Sequence, residues 1–250
     1  MVASREILVG TCGFGGRQQR AFAELDLVEI QQTFYEPPRP TTAARWREQA
    51  PSCFLFTLKA WQLITHPASS PTYRRLRTPL SAEERQRCGG FQWNEVTRMA
   101  WDRTLRIARE LRAEAVLFQT PASFRPTPEH LDNLRRFFAA IDRAGLLLAF
   151  EPRGQAWTDA ILAPLVRTLD LIHAVDPLLR RPVGDGPRYF RLHGRPAYHY
   201  RYRYTDTDLA RLYSLCQEPG RYRVLFNNDA MAADARRFRE LVRHGPPGDP

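Results

Sequence analysis

The sequence predicts a TIM-like (β/α)8 barrel, on three observations. Eight short runs rich in Val, Ile, Leu and Phe recur along its 250 residues. Longer stretches with apolar residues at helical spacing lie between them. No repeat, low-complexity tract or Gly/Ser linker breaks the alternation. Strand–helix alternation over about 250 residues is the pattern of a closed parallel barrel. An open doubly wound sheet is the competing arrangement, but no phosphate-loop glycine pattern follows any run. One domain over residues 1–245 is expected, with the Pro/Gly-rich 246–250 as a loose tail.

The strand runs are Ile7–Cys12, Leu27–Thr33, Cys53–Ala60, Ala115–Thr120, Leu146–Glu151, Leu171–Asp176, Tyr189–His193 and Arg223–Asn227. Near-continuous apolar runs of this length suit strands covered on both faces. The helices follow by period. Val96, Met99, Ala100, Ile107 and Leu111 line a long one before the fourth strand. Leu131, Leu134, Phe138 and Ile141 line the next, with Thr127 as N-cap, Pro128 at its first position and Gly145 at its end. Thr205 and Asp208 form a capping-box pattern ahead of Leu209, Leu212, Tyr213 and Cys216. Met231, Ala235, Phe238, Leu241 and Val242 form the last stripe, closed by Gly245. Two connections break the rhythm. The sixth crossover is too short for a full helix, and Trp61–Trp93 is a long Pro-, Ser- and Arg-bearing segment. Such a loop suits a lid over a site.

A barrel carries its site at the C-terminal strand ends, and here those ends are polar. Strand one ends in Thr11 and Cys12. Period two along strand two puts Glu29, Gln31 and Thr33 on one face, with Tyr35 just beyond. Strand three brings Thr57 and Lys59, the single lysine among 37 basic residues. Strand four offers Gln119, strand five Glu151 and Arg153, strand six Asp176, strand seven Arg191 and His193, and strand eight Asn227 and Asn228. Each has a plainer reading. Glu29 suits a buried ion pair, His193 a core histidine, Lys59 a counter-ion, Cys12 a small filler, and the asparagines a turn. Clustered polar burial is costly unless satisfied, and a ligand site is the usual reason for it.

These residues resemble those of the YecE-like family, domain of unknown function seventy-two. The matching strings are Gly10-Thr11-Cys12-Gly13-Phe14, Val28 to Tyr35, Lys59-Ala60 with Ile64-Thr65-His66, Phe118-Gln119-Thr120-Pro121, Glu151-Pro152-Arg153 with Trp157, Arg191 to Arg195, and Phe226-Asn227-Asn228 with Asp234-Ala235. The resemblance implies a TIM-barrel-like fold and no particular reaction. It marks the same strand ends, with His66, Trp157 and Arg195 added to the binding set.

The net charge of +10 and pI near 10.0 favour an anionic small molecule or nucleic acid as partner. The first expectation is therefore an enzyme acting on a phosphorylated sugar or a nucleic-acid backbone. Glu29 or Glu151 would be the base, Lys59 or His193 the acid or stabiliser, and Arg153, Arg191 and Arg195 the phosphate clamps. Thr11, Gln31, Thr33, Tyr35, His66, Gln119, Trp157, Asp176, Asn227 and Asn228 would bind substrate. A hydrolase, isomerase or lyase would fit. A second possibility is a non-catalytic nucleic-acid-binding barrel, from the alternation of Tyr198, Tyr200, Tyr202 and Tyr204 with His199, Arg201 and Arg203. A third is Schiff-base chemistry at Lys59.

No cofactor is predicted. A hard divalent metal on Glu29, Glu151, Asp176 and His193 is a minor alternative, since no H-x-H or H-E-x-x-H occurs. The four cysteines are widely spaced and form no C-x-x-C, which points to reduced thiols. No apolar run approaches the roughly 18 residues of a membrane span. Met1–Glu6 runs straight into a strand, so a cytoplasmic location is expected. Oligomeric state is left open.

Overall fold

A computed structural model of the chain describes residues 4–245. The expected tail, 246–250, lies outside the described residues. Eight parallel strands follow one another in chain order as a closed barrel. They are β1 (Arg5–Cys12), β2 (Leu27–Ile30), β3 (Leu55–Lys59), β4 (Ala115–Gln119), β5 (Leu147–Glu151), β6 (Ile172–Val175), β7 (Arg188–Leu192) and β8 (Gly220–Phe226). The helices are α1 (Gln18–Glu24), α2 (Gln32–Tyr35), α3 (Pro40–Gln49), α4 (Gln62–Thr65), α5 (Ala82–Gln86), α6 (Glu95–Leu111), α7 (Pro128–Ala140), α8 (Asp159–Thr168), α9 (Asp206–Ser214) and α10 (Met231–His244). No helix among the described residues is long and apolar enough to cross a membrane.

The chain divides into two compact units. Unit one comprises residues up to Glu29, Ala50–Leu55, and the chain from Ile172 onward. Its strands β1 and β8 pair over Arg5–Thr11 and Gly220–Phe226, β7 pairs with β8, and β6 pairs with β7. Val9, Val28, Phe190, Leu192, Val224 and Phe238 are buried in its core. Thr205 and Asp208 form the expected capping box at α9, and Gly245 ends α10. As expected, the described stretch between β6 and β7 contains no helix.

Unit two comprises Ile30–Gln49 and Phe56–Leu171. Here β4 pairs with both β3 and β5. Its core is aromatic: Phe91, Phe118, Phe137 and Phe138 pack ring against ring, with Trp101 stacked on Phe118 at 5.7 Å. Thr127 caps α7 as expected, its hydroxyl accepting from the His130 amide.

Four expectations are corrected here. Strand two stops at Ile30 rather than Thr33, because Gln31 is helical (φ −82°, ψ −27°) and α2 follows. The Thr33 hydroxyl, 2.9 Å from the Ile30 carbonyl, ties this turn back on the strand. Gln31 and Thr33 therefore do not share a strand face with Glu29. Met99 sits on the exposed side of α6, 38% exposed. Helix α7 ends at Ala140. Ile141 is its extended cap, and Gly145 (φ +76°) belongs to the following turn, where Asp142 accepts from the Ala144 amide. Finally, the expected long loop Trp61–Trp93 carries secondary structure of its own. It contains α4, a 3-10 turn at Pro71–Arg75 and α5. Its far end bonds to its root, Gly89 amide to Leu63 carbonyl at 2.7 Å and Phe91 amide to Ile64 carbonyl at 2.9 Å. The Tyr73 hydroxyl donates to the His66 carbonyl. Gly89 has φ +83°, and a Cβ there would collide with the His66 backbone.

Candidate functional site

Polar side chains gather in both units. In unit one, Glu29 is fully buried. The Tyr189 hydroxyl donates to its Oε2 at 2.7 Å and Arg191 Nη2 donates to its Oε1 at 2.8 Å. Arg191 is also fully buried, and its Nη1 lies 3.1 Å from His193 Nε2. A guanidinium has only donors, so Nε2 accepts and the imidazole proton sits on Nδ1. Period two along β7 explains the row: residues 189, 191 and 193 share a face. Asp176 clips the end of β6 to β7, accepting from the amides of Leu178 (3.0 Å) and His193 (3.3 Å).

The other unit-one candidates mostly brace the backbone. The Thr11 hydroxyl donates to the Gly13 carbonyl. Asn228 Nδ2 donates to the Tyr202 carbonyl and to Asp234, both at 2.7 Å. Asn227 is half-buried, and its amide donates to the Leu192 carbonyl. Arg195 pairs with Asp208 at 2.7 Å. Burial pushes the Asp208 carboxyl up, but bonds from Tyr202, Thr205 and Arg195 outweigh this and bring it down to about 2. Cys12 is a filler in this geometry. Its Sγ lies 3.5 Å from Arg191, yet burial holds the thiol well above its ordinary pKa.

In unit two, three neighbouring strands end in one polar row. Lys59 closes β3, 6% exposed, and its Nζ donates to Gln119 Oε1 at 2.9 Å. Gln119 closes β4 in register with Glu151, which closes β5. Glu151 lies 3.6 Å from the Nε of half-buried Arg153. The Lys59 ammonium sits over the Phe34 ring, 3.9 Å from its centre. Phe34 in turn meets His66 edge-on at 4.8 Å. His66 is held at about 3, far below an ordinary imidazole, first by burial and then by the charges of Lys59 and Arg153. It is neutral and pairs with the Thr65 hydroxyl at 2.7 Å.

The aromatic candidates are tied into the fold by contacts of their own. Trp157 is buried, stacks on Phe124, and donates its indole N–H to the Phe124 carbonyl at 2.8 Å. Tyr35 lies under the Arg75 guanidinium at 3.6 Å. The Thr33 hydroxyl is also 2.7 Å from the Lys59 carbonyl. Gln31 lies half-buried at the start of α2. Of the strand-end candidates, Glu29, His193 and Asn227 fall in unit one, Lys59 and Glu151 in unit two. Among the described residues no three His, Cys, Asp or Glu side chains are gathered to hold a metal.

Two contributors escaped the sequence. Tyr189 completes the Glu29 pair, and its two-residue spacing from Arg191 was the available signal. Gln62 is fully buried, gives Nε2 to the Tyr35 carbonyl at 2.9 Å, and leaves Oε1 without a partner among the described residues. Nothing in the pattern of Trp61–Trp93 distinguished it.

Eight parallel strands with flanking helices and polar strand ends define a TIM-like barrel protein. Residues 18–248 match the family described as protein of unknown function DUF72, and the chain belongs to that family. It is similar to a solved DUF72 protein from Enterococcus faecalis V583, with 20% identity, 98% of this chain and 100% of that one covered, and a TM-score of 0.71. A DUF72 protein from Thermotoga maritima MSB8 is 19% identical, with 96% and 100% covered and a TM-score of 0.70. A D-psicose 3-epimerase shares the fold at 11% identity, with 96% and 98% covered and a TM-score of 0.59. No curated protein sequence matches the chain.

Proposed function

We propose that the protein is an enzyme acting on an anionic, phosphate-bearing substrate, with the Lys59–Gln119–Glu151–Arg153 row as its working site. The observation that carries this is the row itself: four polar residues at three adjacent strand ends, linked by the 2.9 Å Lys59–Gln119 bond, the Gln119–Glu151 register and the 3.6 Å Glu151–Arg153 approach. Arg153 is half-buried and reaches solvent, so it suits a phosphate clamp. Glu151 is the general base, and Lys59 stabilises developing negative charge. Gln119 and the Phe34 ring are both acceptors for an ammonium, which supports this role for Lys59 over Schiff-base chemistry. Neutral His66 adds no competing charge beside the anion. Glu29 is assigned a positioning role on Arg191, since two strong donors already occupy its carboxylate.

Calorimetric titration with inorganic phosphate and a set of sugar phosphates tests the reading. Binding should weaken at least about tenfold in Arg153→Met. For a substrate that turns over, Glu151→Gln should bind normally but react roughly 100- to 10,000-fold more slowly. Binding indifferent to Arg153 and Lys59 would sink the assignment.

A further inference from the structure

The segment 194–204 carries tyrosines at four alternate positions, and the structure sorts them into two kinds. Tyr202 and Tyr204 hold the segment in place. The Tyr202 hydroxyl bonds to Asp208 at 2.6 Å, and the Tyr204 hydroxyl accepts from the Gly194 amide at 2.8 Å. Tyr198 and Tyr200 face solvent, 44% and 41% exposed. Both lie edge-on to His193, with ring centres 5.2 and 6.3 Å away.

The support beneath these two rings is fixed. The Tyr200 carbonyl accepts from the Asp229 amide at 2.7 Å, the Tyr202 amide donates to the His199 carbonyl at 2.9 Å, and Asn228 holds the Tyr202 carbonyl. Tyr198 itself adopts φ +60°, a left-handed conformation that is rare and costly for a bulky aromatic. Two large rings are thus kept in water on a braced and strained backbone, where burial would ordinarily be favoured. Arg201 and Arg203 follow them in the chain, both exposed, with no ion pair among the described residues. A chain of net charge +10 makes a second copy of itself a poor partner for such a surface and a polyanion a good one.

We propose that this segment is a stacking platform for single-stranded nucleic acid. Tyr198 and Tyr200 take the faces of unpaired bases, and Arg201 and Arg203 take the adjoining phosphates. A duplex hides its base faces, and a sugar phosphate has no π-face for the rings to use. The platform lies wholly in unit one and uses none of the residues of the Lys59 row.

Fluorescence anisotropy with labelled oligothymidylate and oligouridylate of about 12 nucleotides tests it. The intact protein should bind both, with affinity falling as salt rises. The double variant Tyr198→Ala/Tyr200→Ala should weaken binding about tenfold or more, since one stacked base is worth roughly five- to a hundredfold. Arg201→Ala/Arg203→Ala should flatten the salt dependence. An abasic oligomer of equal length should bind the intact protein as weakly as the double-tyrosine variant binds the base-bearing one. Tyr198→Phe/Tyr200→Phe keeps the rings and should keep binding, which separates stacking from misfolding. Equal affinity for abasic and base-bearing strands, preference for duplex, or no binding at low salt overturns the proposal. Sugar phosphate bound without oligonucleotide would defeat the platform and leave the Lys59 row standing; the reverse result would do the opposite.

Discussion

Glu29→Gln is the most discriminating perturbation of unit one. The substitution keeps the shape of the side chain and removes the counter-charge facing a fully buried guanidinium. The Tyr189 hydroxyl can still donate to the amide oxygen, so the loss falls on the 2.8 Å bond to Arg191. Breaking one side of a buried pair costs about 3–5 kcal/mol. For a chain of this size that corresponds to a melting point lower by roughly 10 °C. Urea denaturation should show the loss with an unchanged slope. Adding Arg191→Met to Glu29→Gln removes the stranded charge and should recover about 1–2 kcal/mol, a coupling that a thermodynamic cycle measures directly. A Glu29→Gln protein as stable as the parent would refute the ion-pair reasoning. If that protein were also inactive, Glu29 would return as a catalytic base.

Three further outcomes are expected. His66 takes up its proton near 6.5 when unfolded but only at about 3 when folded, so its neutral burial favours folding above 6.5 and stability drains as pH falls from there toward 3; by pH 5 the loss is on the order of 2 kcal/mol, and a His66→Gln protein should show a flatter profile across that window in pH-dependent denaturation. Gly89→Ala puts a side chain into the His66 backbone at φ +83° and should cost at least about 2 kcal/mol, with faster proteolysis inside Trp61–Trp93 as the readout. Thr205→Ala removes the hydroxyl that accepts from the Asp208 amide and should cost about 1 kcal/mol, measurable by thermal melting.

The barrel was legible because its strands are covered on both faces and announce themselves as apolar runs. Thr127 and Thr205 were legible for a similar reason, since capping is local chemistry. Boundaries failed where a side chain competed for the backbone: period two carried β2 on to Thr33, but the Thr33 hydroxyl turns the chain at Ile30. The candidate site was legible as a set of strand-end residues. Their roles were not, because a role depends on long-range partners. Glu29 reads as a base until Tyr189, 160 positions away, is seen on its carboxylate. Trp157 reads as a substrate-binding residue until its indole is found bonded inside the fold. The tyrosine ladder of 198–204 looked uniform, and only tertiary hydrogen bonds divide it into braces and exposed rings.

The one side-chain amine of this chain is shielded beneath a phenyl ring. Acylating reagents that coat most proteins should therefore mark that position slowly in the native state and much faster when the fold opens. Mass-resolved labelling at Lys59 then becomes a built-in clock for local unfolding of the β3 end, with no engineered probe.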